Sequence, residues 1–256
     1  MQVNFPFPSG KGSAAVAVAT LLAACAAPPA PSGINDPDEA KHREIHAFNR
    51  AVDRALLKPA SGAYGGVIPE PLRQGVANFA GNLDIPGDVV NGVLQGRPGP
   101  ALQNTLRFVV NTTIGVGGLF DPARAMGIEG KPTDFGETLH VWGLPEGAYQ
   151  ELPLFGPSTD RDTVGAIVDL AMNPVRLAFP GRAGDAATVA SFASTLGDRY
   201  RYSDTVDSIL YDSADSYAQA RLLYLQNRRY ELGQTGGTTD GSDAVFVDPY
   251  EDPYAP

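Results

Sequence analysis

Across residues 35–232 the apolar side chains recur at spacings of three and four, and nowhere do they alternate with period two long enough for a substantial sheet. That periodicity predicts an all-α body. A first helix is expected from Asp36-Pro37-Asp38-Glu39: Asp36 can cap free amides, Pro37 suits the first helical position and Glu39 can reach back in a capping box. Ile45, Phe48, Val52, Ala55 and Leu56 then share one face, and Lys58-Pro59 is expected to stop the helix. Leu72, Val76, Phe79 and Leu83 repeat the stripe, Pro86 to Gln95 suggests a short helix ending at Gly96, and Pro98 to Thr113 a longer one. Further helices are expected over Thr133 to Trp142, over Ser158 to Met172 with Ser158 as cap, and as a pair over Asp185 to Leu232, broken near Tyr202-Ser203-Asp204. None approaches the ~18 uninterrupted apolar residues of a membrane-spanning helix.

The N-terminus carries a different signal. An apolar run of small residues, Ala14 to Ala24, follows a segment whose only charge is Lys11 and ends at Leu22-Ala23-Ala24-Cys25, the sole cysteine. Its length fits a secretory apolar region of roughly 7–15 residues. Leu-Ala-Ala-Cys matches the lipobox of bacterial lipoproteins, so residues 1–24 are expected to be removed and Cys25 to carry the lipid anchor. Three acyl chains, at about 0.8 kcal/mol per buried methylene, hold far more firmly than one. The alternative is an ordinary cleaved signal that leaves a free thiol without a disulfide partner. Ala26-Ala27 follow, with no Asp beside Cys25 to retain the protein at the inner membrane. The expected address is therefore the outer membrane, with the anchor in its periplasmic leaflet.

Residues 25–34 form a Pro/Ala-rich lipidated linker, residues 35–232 the helical body, and residues 233–256 an acidic Gly/Thr/Asp-rich tail whose composition predicts disorder. Loss of Lys11 with the leader moves the formal charge from -10 to -11. That balance argues against nucleic acid and against electrostatic capture by anionic headgroups.

Catalytic patterns are weak. His42 and His46 lie four apart on a helix but lack the spacing of a zinc-protease motif, and a solvated helix edge is the expected setting. No G-x-S-x-G accompanies Ser158 or His140. The stretch Ile114 to Asp121, IGVGGLFD, lacks the Lys and Ser/Thr of a phosphate loop, and Asp134-Phe135-Gly136 has no kinase context. No metal site, cofactor or enzymatic activity is expected.

Taken in order, the residues identify a family. N-D-P-x-E at Asn35 to Glu39, F-N-x-x-x-D at Phe48 to Asp53, K-P-A at Lys58 to Ala60, N-F-x-x-N at Asn78 to Asn82 and V-N-x-x-L-Q-G at Val90 to Gly96 open the series. R-F-x-x-N-T-x-x-G-x-G-G-x-F-D at Arg107 to Asp121, D-F-G-x-T-L at Asp134 to Leu139 and L-P-L-F-G-P-S-x-x-R-D at Leu152 to Asp162 continue it. Asp215-Ser216-Tyr217 with Arg221, Tyr224, Gln226 and Arg228 closes it. The chain resembles the MlaA (VacJ) outer-membrane lipoproteins over nearly its whole body. It departs at Lys41-His42, where the family usually has an aromatic residue followed by Asn.

The resemblance implies a ring of amphipathic helices, monotopic in the inner leaflet, with a central channel that takes misplaced phospholipid from the outer leaflet. A trimeric porin would hold the ring and a soluble periplasmic carrier would receive the lipid, with no nucleotide or metal. On that picture Phe79, Leu83, Val89, Val93 and Phe108 are lipid-facing or helix-packing positions. Ile114, Val116, Leu119 and Phe120 sit on a loop at membrane depth lining the channel. Arg161 either steers headgroups at the exit or ties a helix start to its neighbour. The alternatives are a non-transporting outer-membrane scaffold and a phospholipid hydrolase.

Overall fold

The structure is a computed structural model and describes residues 33–172 and 182–234. The leader, Cys25 and most of the expected linker and tail lie outside the described residues. The elements in order are α1 (Glu39–Val52), a π-helical turn (Asp53–Leu57), α2 (Lys58–Val67), α3 (Glu70–Leu94), α4 (Pro98–Thr113), α5 (Pro122–Ala125) and α6 (Phe135–Val141). They continue with β1 (Tyr149–Leu152), β2 (Gly156–Thr159), α7 (Asp160–Met172), α8 (Arg182–Arg201), α9 (Ser203–Asp207), a second π-helical turn (Ser208–Asp212) and α10 (Ser216–Glu231). The fold is all-α around one small antiparallel hairpin, in which Tyr149 pairs with Thr159 and Leu152 with Gly156. Among the described residues no helix is long and apolar enough to cross a membrane.

Several boundaries differ from the sequence expectation, each for a local reason. Lys58-Pro59 does not stop the first helix: a π-helical turn carries the chain into α2, where Pro59 falls in the first turn and its missing N–H costs little. Pro86 likewise lies inside the single long helix α3. It removes one backbone hydrogen bond, and the extensive packing of α3 on α4 carries the helix through. Gly96, at φ +68°, ends α3 as expected. Ser158 belongs to β2, and Thr159 caps α7 instead, its hydroxyl accepting the Asp162 N–H at 3.2 Å. Asp36 caps nothing; its carboxylate accepts hydrogen bonds from Tyr217 and Arg221 and lies 2.8 Å from Nδ1 of His42.

The packing contacts close into a circuit: α1 runs into α2, α2 packs on α8, α8 on α3, α3 on α6, α6 on α7, and α7 and α1 on the hairpin. The ring arrangement thus has a physical seam at the hairpin. Asn49 staples that seam, donating to the Leu152 carbonyl at 3.0 Å and accepting from the Leu154 N–H at 2.7 Å. Helix α10 lies across it. Tyr149, Tyr217 and Leu225 form a small buried apolar cluster in which the two tyrosine rings meet edge to face, with centroids 6.0 Å apart. His42 and His46 are buried against these rings rather than solvated; His46 Nε2 lies 3.1 Å from the Ser216 hydroxyl.

Helices α6 and α7 approach until Gly165 meets the backbone of Gly136, so a Cβ on Gly165 would overlap Gly136 N and Cα. Gly165→Ala is therefore expected to force the two helices apart and to cost about 1–3 kcal/mol. Gly62→Ala in α2, with nothing within 4 Å of the new methyl, should stabilise by about 0.5–1 kcal/mol. Thermal unfolding of the two variants checks both signs.

Candidate functional site: a polar cavity beneath an apolar exterior

Burial in this protein runs opposite to the usual pattern. The buried set is dominated by amides, charged groups and alanines, among them Asn82, Asn91, Gln95, Asn104, Asn111, Asp53, Glu151 and Arg161, whereas Leu102, Leu106, Val109, Val164, Ile167, Leu170 and Phe192 are exposed. Helix α4 shows the arrangement clearly. Ala101, Asn104 and Asn111 share the inward face, and Leu102, Leu106 and Val109 occupy the outward one, Leu102 at 62% exposure. The expected greasy stripes exist, and on this helix the stripe faces outward.

Between α3, α4 and the segments around residues 121 and 130–132 lies a cavity of about 230 Å³. Asn78, Asn82 and Asp88 from α3, Asn104, Arg107 and Asn111 from α4, and Asp121 line it, with Ala77, Gly81 and Ile85 supplying the apolar part. Helical spacing puts these side chains on common faces: Asn78 and Asn82 are four apart, as are Arg107 and Asn111.

The wall is braced by its own polar groups. Arg107 donates to Asp121 at 2.9 Å and to the Ile128 carbonyl, and Asn111 donates to the other oxygen of Asp121 at 2.9 Å. Asn104 exchanges hydrogen bonds with the backbone of Lys131, donating at 2.7 Å and accepting at 2.9 Å. Asn78 donates to the Leu119 carbonyl and Asn82 to the Thr112 hydroxyl. Gly118, at φ +95°, packs so closely that a Cβ there would lie 2.6 Å from Asn82 Cβ, so this glycine sets the amide's position.

Two carboxylates of the cavity have opposite electrostatics. Burial raises the Asp121 carboxyl, but hydrogen bonds from Asn111 and Arg107 and the Arg107 charge outweigh it and hold the group below its ordinary value. Asp88 has a single hydrogen bond, from the Thr133 N–H at 3.2 Å, and no cationic partner among the described residues. Burial, reinforced by Asp84, Asp134 and Asp169, pushes its carboxyl up to about 7.

The apolar candidates chosen from sequence do not line this cavity. Phe79, Leu83, Val89 and Phe108 are half-buried beside it, and Val93, Ile114, Val116, Leu119 and Phe120 are exposed. Of the stretch Ile114 to Asp121, Asp121 lines the wall, and Gly118 and the Leu119 carbonyl brace it. Arg161 does not line this cavity: its side chain is fully buried and its Nε lies 3.3 Å from Asp162 at the start of α7. Four of the lining residues, Asn78, Asn82, Arg107 and Asn111, are the polar members of N-F-x-x-N and R-F-x-x-N, spaced one helical turn apart, whereas Asp88 and Asn104 fall in none of the motifs.

The MlaA lipoprotein family model matches residues 34–231, from before α1 to the end of α10. The chain belongs to the MlaA lipoprotein family. It is 33% identical over 225 residues to the intermembrane phospholipid transport system lipoprotein MlaA of Escherichia coli (strain K12), spanning 85% of this chain and 86% of the relative. The corresponding protein of Haemophilus influenzae is 32% identical over 202 residues, covering 77% and 79% of the two chains. A solved structure from work on the structural basis for maintenance of bacterial outer membrane lipid asymmetry superposes with a TM-score of 0.66 at 29% identity. It covers 77% of this chain and 98% of that one. In this chain the polar residues of N-F-x-x-N and R-F-x-x-N lie on the cavity wall, and Asn49 of F-N-x-x-x-D staples the hairpin.

Asp88 gives the site a pH signature. Its folded-state carboxyl titrates at about 7 against an ordinary value of 3.8, so between these values the folded chain holds a proton that the unfolded chain releases. This contribution is fully present below pH ~4 and is lost as pH rises through ~7. Asp88→Asn in lipid-free detergent is expected to abolish that loss, gaining a few °C in midpoint over wild type between pH 5 and 8. Paired thermal melts across that range measure it.

Proposed function

We propose that this chain is an outer-membrane lipoprotein that takes misplaced phospholipid from the outer leaflet through its polar cavity and passes it towards the periplasm, maintaining lipid asymmetry. The observation that carries this reading is a cavity of about 230 Å³ lined by amides and carboxylates, set among helices whose outward faces are apolar. A headgroup moving through hydrocarbon without partners costs several kcal/mol or more. A polar cavity of this size accommodates a headgroup, while the acyl chains can lie along the apolar exterior. Cys25, once acylated, would hold the ring at the periplasmic leaflet, and outward residues such as Leu102, Leu106, Ile167 and Phe192 would lie in lipid. Family membership supports a soluble periplasmic carrier as the receiver and a trimeric porin as the holder of the ring.

The two groups a hydrolase would use, Ser158 and His140, do not line the cavity. Ser158 and His140 are both buried, and the Ser158 hydroxyl is 2.9 Å from the Thr163 hydroxyl. His140 is held below its ordinary value by burial and by the nearby Arg161 charge.

Outer-leaflet phospholipid in a deletion strain tests the reading. It should rise on deletion and fall to the parental level with the wild-type chain but not with Cys25→Ala. Gly81→Leu, which fills the cavity from a position where a Cβ meets nothing within 4 Å, should fold normally and fail to restore asymmetry. Surface phospholipid unchanged on deletion would sink the transport reading in favour of a scaffold.

A further inference from the structure

The charges on the cavity wall are unequal: two carboxylates, Asp88 and Asp121, face one arginine, Arg107. Each amide nitrogen on its wall already has a protein acceptor: Asn78 the Leu119 carbonyl, Asn82 the Thr112 hydroxyl, Asn104 the Lys131 carbonyl and Asn111 the Asp121 carboxylate. The Arg107 guanidinium is engaged by Asp121 and the Ile128 carbonyl, which neutralises the one cation on the wall. The acceptors are a different matter. Asp121 is answered by Asn111 and Arg107. Asp88 lines the same cavity, accepts one backbone N–H and lacks a counter-charge. A carboxylate without a cation is unfavourable, and a primary ammonium, which carries a positive charge and three N–H donors, corrects it.

We infer that the cavity selects phospholipids by an ammonium-bearing headgroup, received by the Asp88 carboxylate, over anionic headgroups that offer no such group. The inference rests on the phospholipid-transport reading and adds a headgroup preference to it. Asp88, held at about 7 when empty, becomes a full carboxylate when the ammonium supplies the missing charge, so binding and ionisation reinforce each other. An anionic headgroup meets the reverse: an unpaired carboxylate and an arginine already neutralised by Asp121.

The test uses the full lipidated chain in detergent, incubated with vesicles of equal parts phosphatidylethanolamine and phosphatidylglycerol bearing the same acyl chains, then reisolated for quantification of retained lipid. Wild type is expected to retain phosphatidylethanolamine over phosphatidylglycerol by about tenfold, the scale of a charge-assisted hydrogen bond. Asp88→Asn, near-isosteric and still able to accept from Thr133, should bring the ratio to within about twofold on the same argument. Should that variant not fold, the wild-type chain offered phosphatidylcholine decides the point, since three methyl groups remove every N–H donor and retention should drop severalfold. Equal retention of all three lipids would overturn the headgroup assignment and leave the transport reading standing; retention of none would overturn both. Free ethanolamine in place of vesicles separates the sources of the ammonium. Binding as tight as the lipid's would make the ligand a soluble amine and overturn the assignment to lipid.

Discussion

A helix whose polar face turns inward must find partners for that face inside the protein, because a buried amide or charge without one loses more than an exposed leucine does. In α4 the inward positions are Asn104, Arg107 and Asn111, and the chain around them is arranged to answer those groups: Asp121 for Arg107 and Asn111, the Lys131 backbone for Asn104. The stretch between α4 and α6 is short of regular structure for the same reason, since its backbone carbonyls and amides serve as the partners.

The same constraint governs the rest of the circuit. Asp53 in the first π-helical turn receives a bidentate pair of bonds from Arg199, both at 2.9 Å, and a third from the Tyr211 hydroxyl at 2.7 Å. That one carboxylate ties α8 and the second π-helical turn to the end of α1. Helix α10 brings Arg228 to Asp134 and Asp162, and Arg229 to Glu146, fastening α6 and α7 across the ring. Bidentate guanidinium pairs impose geometry as well as attraction, which suits a fold with little apolar core to set its shape. With most of the inner groups paired among themselves, the outer faces are free to be apolar.

Much of the fold was legible in the sequence because helical periodicity is a local property. The stripes at Leu72, Val76, Phe79 and Leu83, the extent of α4 from Pro98 to Thr113 and the glycine end of α3 all follow from neighbours within one or two turns. The hairpin was not legible: Tyr149–Leu152 and Gly156–Thr159 are four residues each, too short for an alternation to show. Nor was the passage of helix through Pro59 and Pro86: the first follows a π-helical turn that no local pattern announces, and the second carries a penalty overridden by packing from elsewhere in the chain.

What the sequence by itself determined was the all-α class, the amphipathic stripes, the family through its ordered motifs, and the lipobox at Cys25. Which face of each stripe turns inward was decided only by the tertiary structure. A moment along a helix has direction but no absolute sense until the surrounding elements and medium are known, and so Phe79, Leu83 and Ile114 drew the eye while Asn82, Asp88 and Asn111 line the cavity. The partners of those polar groups lie ten to forty-five residues away, and only the folded chain brings them within a hydrogen bond, leaving the Asp88 carboxylate without a counter-charge among the described residues.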